Sequence, residues 1–174
     1  MSSSPRSEPL CLAGRRIFIT GGTGFIGRCL LDYLAEGVAL HGADLQVTVL
    51  SRDPAAFVRR FPAYAGQPWL SLVAGDLNHL PAPQPGYTDL VHAAADTHHT
   101  GDPLAWLDQL VQGTRQVLDF ARAAGVQRLL YASSGAVYGR QPADVPALAE
   151  DCPHAPLSND ASAVYAHGKR MAEL

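Results

Sequence analysis

Residues 17–27 read Ile-Phe-Ile-Thr-Gly-Gly-Thr-Gly-Phe-Ile-Gly, and no other stretch restricts the fold of this chain as strongly. A β-branched and aromatic run over residues 16–20 suits a buried strand. It empties into Gly21, Gly22, Gly24 and Gly27, and the helical spacing of Phe25, Ile26, Leu30, Leu31 and Leu34 begins at once. The expectation is a strand, a glycine turn and a helix N-terminus. Within it, Gly22-Thr23-Gly24-Phe25-Ile26-Gly27 satisfies G-x-G-x-x-G. Glycines there give a permissive backbone for the turn, room for a pyrophosphate to reach the amides, and close packing of helix on strand. The helix start adds unpaired N–H groups and a positive dipole end, so the expected ligand is a dinucleotide.

The same alternation continues down the chain. Residues 45–50, 69–73, 89–95 and 128–133 have the length and apolar content of buried strands. Pro54 opens a short helix through Phe57, Val58 and Phe61. From Pro103, Leu107, Leu110, Val111, Thr114, Val117, Leu118 and Ala121 recur three and four apart, the stripe of a long amphipathic helix that stops at Gly125. Residues 37–44, small and polar, read as a connection. The pattern predicts an α/β fold, a Rossmann-type doubly wound parallel sheet with helices on both faces and its ligand at the carboxyl ends of the strands. It forms one domain over residues 14–174, after a Ser/Pro-rich tail at 1–13 that is expected to be disordered.

Composition narrows the ligand class. A net charge of −3 with scattered basic residues gives no footprint for nucleic acid. Cys11, Cys29 and Cys152 lack C-x-x-C spacing, so no metal is expected and the thiols belong to a reducing compartment. No apolar run is long enough for a membrane span and the first nine residues lack the core of a signal peptide, which points to a cytoplasmic chain without a membrane partner.

The run Ser133-Ser134-Gly135-Ala136-Val137-Tyr138-Gly139, with Tyr165-x-x-x-Lys169 after it, completes a series that also includes the glycine turn, Asp76-Leu77 and His92-Ala93-Ala94-Ala95. In order and spacing this series resembles the extended short-chain dehydrogenase/reductases, in the branch of nucleotide-sugar epimerases and dehydratases. The resemblance implies a cofactor site made by Gly21, Gly22, Thr23, Gly24, Phe25, Ile26 and Gly27. Asp76 and Leu77 would serve the adenine, and Ala93, Ala94 and Ala95 the pyrophosphate and nicotinamide ribose. Ser134, Tyr165 and Lys169 would be the catalytic set, with Tyr165 and Lys169 also touching the cofactor. It further implies a nucleotide-diphosphate sugar as substrate and a homodimer through the helices at 104–124 and 163 onward.

Elementary chemistry supports the Tyr/Lys pair, because residues four apart share a helix face and an ammonium beside a phenol favours the phenolate. At the end of the second strand, where a carboxylate would bind the ribose of NAD, stand Ser51 and Arg52. A guanidinium pairs with a 2′-phosphate, so of NADP and NAD the former is favoured, unless Asp53 takes the ribose contact. His98, His99 and His167 read as solvated, and His92 as a packed strand-end residue.

Three departures from the family pattern matter. Leu110 stands where many members carry Asn, three residues before Gly113-Thr114. Gly135 and Ala136 stand where the 4,6-dehydratase branch carries an Asp and a Glu. The expected reaction is therefore epimerisation or keto reduction, with 4,6-dehydration, through another carboxylate such as Asp96, or cofactor binding without catalysis as alternatives. Members of the family run about twice as long, so the chain is expected to stop before the substrate-binding C-terminal part and to expose apolar surface.

Overall fold

The computed structural model describes residues 12–42, 44–97, 101–157 and 163–174. Strands β1 (Arg15–Thr20), β2 (Leu45–Ser51), β3 (Leu70–Ala74), β4 (Asp89–His92) and β5 (Arg128–Tyr131) form one parallel sheet in the order β3-β2-β1-β4-β5. Helices α1 (Phe25–His41), α2 (Pro54–Arg60), α3 (Pro103–Ala123) and α4 (Ala163–Met171) connect or cover them. Short 3-10 turns lie at Pro62–Tyr64 and Gly135–Tyr138. The sheet grows outward from β1 through β2 and β3, then the chain returns to place β4 and β5 on the other side. This reversal opens a crevice at the carboxyl edge. Register makes that edge level: Thr20 lies opposite both Leu50 and His92, and His92 opposite Tyr131. The residues that follow each strand therefore emerge together.

The pleat of β1 divides the core in two. Ile17 and Ile19 face one side with Leu31, Leu34, Val47, Val49, Phe57 and Trp69. Phe18 faces the other with Leu90, Val117, Phe120 and Ala121, its ring 4.5 Å from that of Phe120 and 5.3 Å from that of Tyr87. No helix among the described residues is long and apolar enough to cross a membrane.

Strands β4 and β5 stop at His92 and Tyr131, earlier than the runs at 89–95 and 128–133, and two further boundaries differ from the sequence expectation. Helix α1 runs on through Gly37 to its true stop at Gly42, which adopts φ +55° and donates its N–H to the Val38 carbonyl at 2.9 Å. Gly37 is a packing residue instead, since a Cβ there would lie 2.9 Å from Leu12 Cδ1. Leu12, assigned above to a disordered tail, is buried in the first core cluster, so order begins earlier than residue 14. The remainder of that tail, residues 1–11, lies outside the described residues, as do His98 and His99.

Candidate active site

A cleft of about 370 Å³ opens at the carboxyl edge of the sheet. Gly21, Thr23 and Gly24 line it from the end of β1, and Ser51 and Arg52 from the end of β2. Asp76 and Leu77 follow β3, and Ala93, Ala94 and Ala95 follow β4. Ten of the residues assigned to the cofactor in the sequence are thus brought together. Leu50, Gly75, Asp96, Thr97, Gln109 and Leu110 join them; the last two come from α3, whose approach depends on tertiary packing.

The glycine turn is a cradle that side chains would fill. Gly21 adopts φ +76°, and a Cβ on it would lie 2.5 Å from the Ala93 carbonyl carbon and the Ala94 nitrogen. Gly22 and Gly27 sit beneath the turn: a Cβ on Gly22 would meet Val49 Cγ1 at 2.7 Å, and one on Gly27 would overlap the Gly21 carbonyl oxygen and Gly22 Cα. Helix α1 starts at Gly24 with no side-chain cap and no acidic residue in its first turn. Its first amides and positive dipole end therefore suit an anion, and the room left by the glycines suits a pyrophosphate. Phe25 and Ile26 occupy that first turn with their side chains exposed.

On the β2–β3 side, Ser51 is buried and Arg52 exposed. Asp53 is the N-cap of α2, its Oδ1 accepting from the Ala56 N–H at 2.8 Å, and it is not among the residues that line the cleft. Asp76 Oδ1 accepts from the Asn78 N–H at 2.8 Å, the His79 N–H at 2.9 Å and His79 Nδ1 at 3.1 Å. Desolvation pushes the Asp76 carboxyl up, but these bonds and the His79 charge outweigh it and hold the group below the usual carboxylate range.

The proposed proton-transfer residues stand at the β4–β5 side. Lys169 is buried and its Nζ donates to the Ala132 carbonyl at 2.7 Å, while the Ala132 N–H donates to the His92 carbonyl at 2.9 Å, beside Ala93 of the cleft. Burial lowers the Lys169 ammonium to about 8, against a smaller upward pull from Glu173. Its Nζ lies 6.0 Å from the Tyr165 ring centroid and 4.5 Å from that of Tyr131, a neighbour no local pattern announced. Burial first, with the charges of Tyr165 and Glu173 acting in the same direction, pushes the Tyr131 phenol up to about 12. Ser134 Oγ accepts from the Ala136 N–H at 3.2 Å and opens the 3-10 turn. Among the described residues no direct hydrogen bond joins Ser134, Tyr165 and Lys169. Side chains of α4 and of the turn after it fix the segment around Ser134: Arg170 of the helix donates to the carbonyls of Val137 at 2.9 Å and His154 at 2.8 Å, and Glu173 of the turn accepts from the Ser133 hydroxyl.

His92 is packed as expected, fully buried between Thr20 Oγ1 at 2.6 Å and Thr114 Oγ1 at 3.2 Å. His167 differs from the solvated reading, because its Nε2 is buried without a hydrogen-bond partner. Leu110 is buried against α4, where a Cβ on Gly168 would stand 2.6 Å from Leu110 Cδ1.

A family profile described as NAD dependent epimerase/dehydratase matches residues 17–174. The 4-hydroxy-2-methyl-3-oxo-4-farnesyl-3,4-dihydroquinoline-1-oxide ketoreductase of Stigmatella aurantiaca is 34% identical, over 91% of this chain and 44% of its own length. The UDP-glucose 4-epimerase of Corynebacterium glutamicum is 30% identical, over 82% of this chain and 41% of its own. Among solved structures, a dTDP-glucose 4,6-dehydratase from Streptomyces venezuelae with NAD bound superposes with a TM-score of 0.71 at 29% identity, over 91% of this chain and 49% of that one. The chain spans less than half the length of each.

Proposed function

Since this chain belongs to the NAD dependent epimerase/dehydratase family, we propose that it binds NAD(P) and serves an epimerase or ketoreductase of nucleotide-diphosphate sugars. The amides of the glycine turn and of the first turn of α1 hold the pyrophosphate. Asp76, with Oδ1 occupied by its own loop, offers Oδ2 to the adenine amino group. Arg52 meets the 2′-phosphate of NADP, while Asp53 is held at its cap. Bound in the cleft, the nicotinamide supplies hydride exchange at a sugar carbon. Tyr165 takes the proton of the substrate hydroxyl at Oη, and Ser134 donates a hydrogen bond to the same oxygen. Lys169 faces the Tyr165 ring with its charge and favours the phenolate.

The observation that carries this reading is the placement of Lys169. A buried ammonium is costly, and this one is oriented by the Ala132 carbonyl just after β5, whose own N–H bonds the His92 carbonyl next to Ala93 of the cleft. Gly135 and Ala136, in the turn after Ser134, have no group that can move a proton, which favours epimerisation or reduction over water elimination. Outward-facing Leu104 and Leu118 on α3 support pairing into a homodimer.

The reaction is tested with a panel of nucleotide-diphospho-hexoses followed by NMR in deuterated solvent. Epimer or reduced sugar is expected, and a 4-keto-6-deoxy product carrying deuterium at C5 would reassign the chain to elimination. Tyr165→Phe should lose turnover; the parent rate in that variant removes the mechanism. In cofactor titrations Arg52→Ala should weaken NADP by about 1.5–3 kcal/mol and leave NAD unchanged, as expected for a lost charge-assisted bond.

A further inference from the structure

Trp106, a side chain that the proposed chemistry does not use, lies against Tyr165. Its ring stacks on the Tyr165 ring at 5.8 Å between centroids and 27° between planes. Its Nε1–H donates to the Asp96 carbonyl at 2.8 Å, on the loop that lines the cleft after β4. One turn further along both helices, Gly168 of α4 meets Leu110 of α3, where a Cβ would lie 2.6 Å from Leu110 Cδ1 and 2.9 Å from Leu110 Cβ. The two helices thus make successive rungs, Trp106 on Tyr165 and then Leu110 on Gly168. The absence of a side chain at the second rung sets the distance at the first.

We propose that Trp106 is a positioning residue for Tyr165, which rests on the reading of Tyr165 as the group that moves the proton. The phenol has a freely turning side chain at the start of α4, and proton transfer needs its oxygen at one place. Stacking restricts the ring to the orientation of the indole. The indole is itself held by the cleft loop, so the Tyr165 ring and the cleft wall share one support. Trp106 need not touch the substrate.

The sequence has two tryptophans, and in a Trp69→Phe background Trp106 is the remaining emitter. A tyrosinate in stacking contact quenches indole emission, so emission should fall as the pH is raised through phenol ionisation. That fall should be lost in Tyr165→Phe. Alkaline quenching of equal depth in the two proteins overturns the contact. In turnover assays, Trp106→Ala should lower kcat at least about tenfold with the cofactor KM unchanged, as misplacement of a reacting group does. Trp106→Phe, which keeps a stacking ring, should recover most of it, and Gly168→Ala should fall between the two. Parent kcat in Trp106→Ala beside an inactive Tyr165→Phe overturns the positioning role and leaves the proposed chemistry standing. Parent kcat in Tyr165→Phe overturns the proposed chemistry and the positioning role together, whatever the fluorescence reports.

Discussion

His92 is joined to two hydroxyls, and their partners fix its proton. The Thr114 hydroxyl donates to the Leu110 carbonyl at 2.8 Å, so it accepts from Nε2–H, and Nδ1 is left to accept from the Thr20 hydroxyl. The Ala94 N–H closes the other end on Thr20 Oγ1 at 3.4 Å. Both ends of this chain of bonds are residues that line the cleft. Burial first, and the Lys169 charge second, lower the imidazole from 6.5 to about 4. Between those values the unfolded chain binds a proton that the folded one does not. The neutral, buried His92 therefore contributes stability that is complete above pH 6.5 and is lost as the pH falls toward 4, about 3 kcal/mol in all. Denaturant titrations at pH 7 and pH 4.5 check this: His92→Gln should flatten the parent's loss over that interval. An equal loss in the two proteins would remove His92 as its source.

At the scale of elements, the helices and strands were legible wherever the signal was local. The strand, glycine turn and helix over 17–27 needed only neighbouring residues, and so did the long stripe of α3. Contacts across the chain left no such mark. Gly37 resembles a helix stop because its partner Leu12 lies far away in sequence, and the Thr20, His92 and Thr114 chain joins residues 72 and 22 positions apart. Trp106 and Tyr131 were invisible for the same reason, as was the burial of His167 Nε2. Of the candidate site, the glycine turn and the strand-end residues were legible because each strand ends at the same edge. The surroundings of Tyr165 and Lys169 were not, because α3 and α4 build them by packing. The close approach of α1 to its turn gives a second prediction. Gly27→Ala should cost about 1–3 kcal/mol of stability, as overpacking does, and abolish NAD(P) binding in calorimetric titration, since the new Cβ meets backbone that cannot swing away. Gly135→Ala, with nothing within 4 Å of its Cβ, is the control that should leave both unchanged.

Across the whole molecule, two cores share one sheet and each supports half of the cleft. The cluster under α1 and α2 carries the β2–β3 wall with Arg52 and Asp76, and the cluster under α3 carries the β4 wall. Among the described residues β5 is an outer strand of the sheet, and in it Leu130 is 59% and Leu129 39% exposed. An exposed apolar edge strand invites pairing with another chain. Sedimentation velocity should show concentration-dependent association that Leu130→Lys reduces, and a parent that stays monodisperse at high concentration would contradict it. The uncapped start of α1 has a different consequence. A helix that supplies no oxygen to its own first amides leaves that role to whatever anion arrives, so part of the helix's cohesion resides in solution. A ligand present at a hundred times its dissociation constant adds about 2.7 kcal/mol to the folded state. With the dinucleotide proposed above as that anion, the lifetime of this fold in a cell is expected to follow its supply, and a starved cell to clear the chain faster than a replete one.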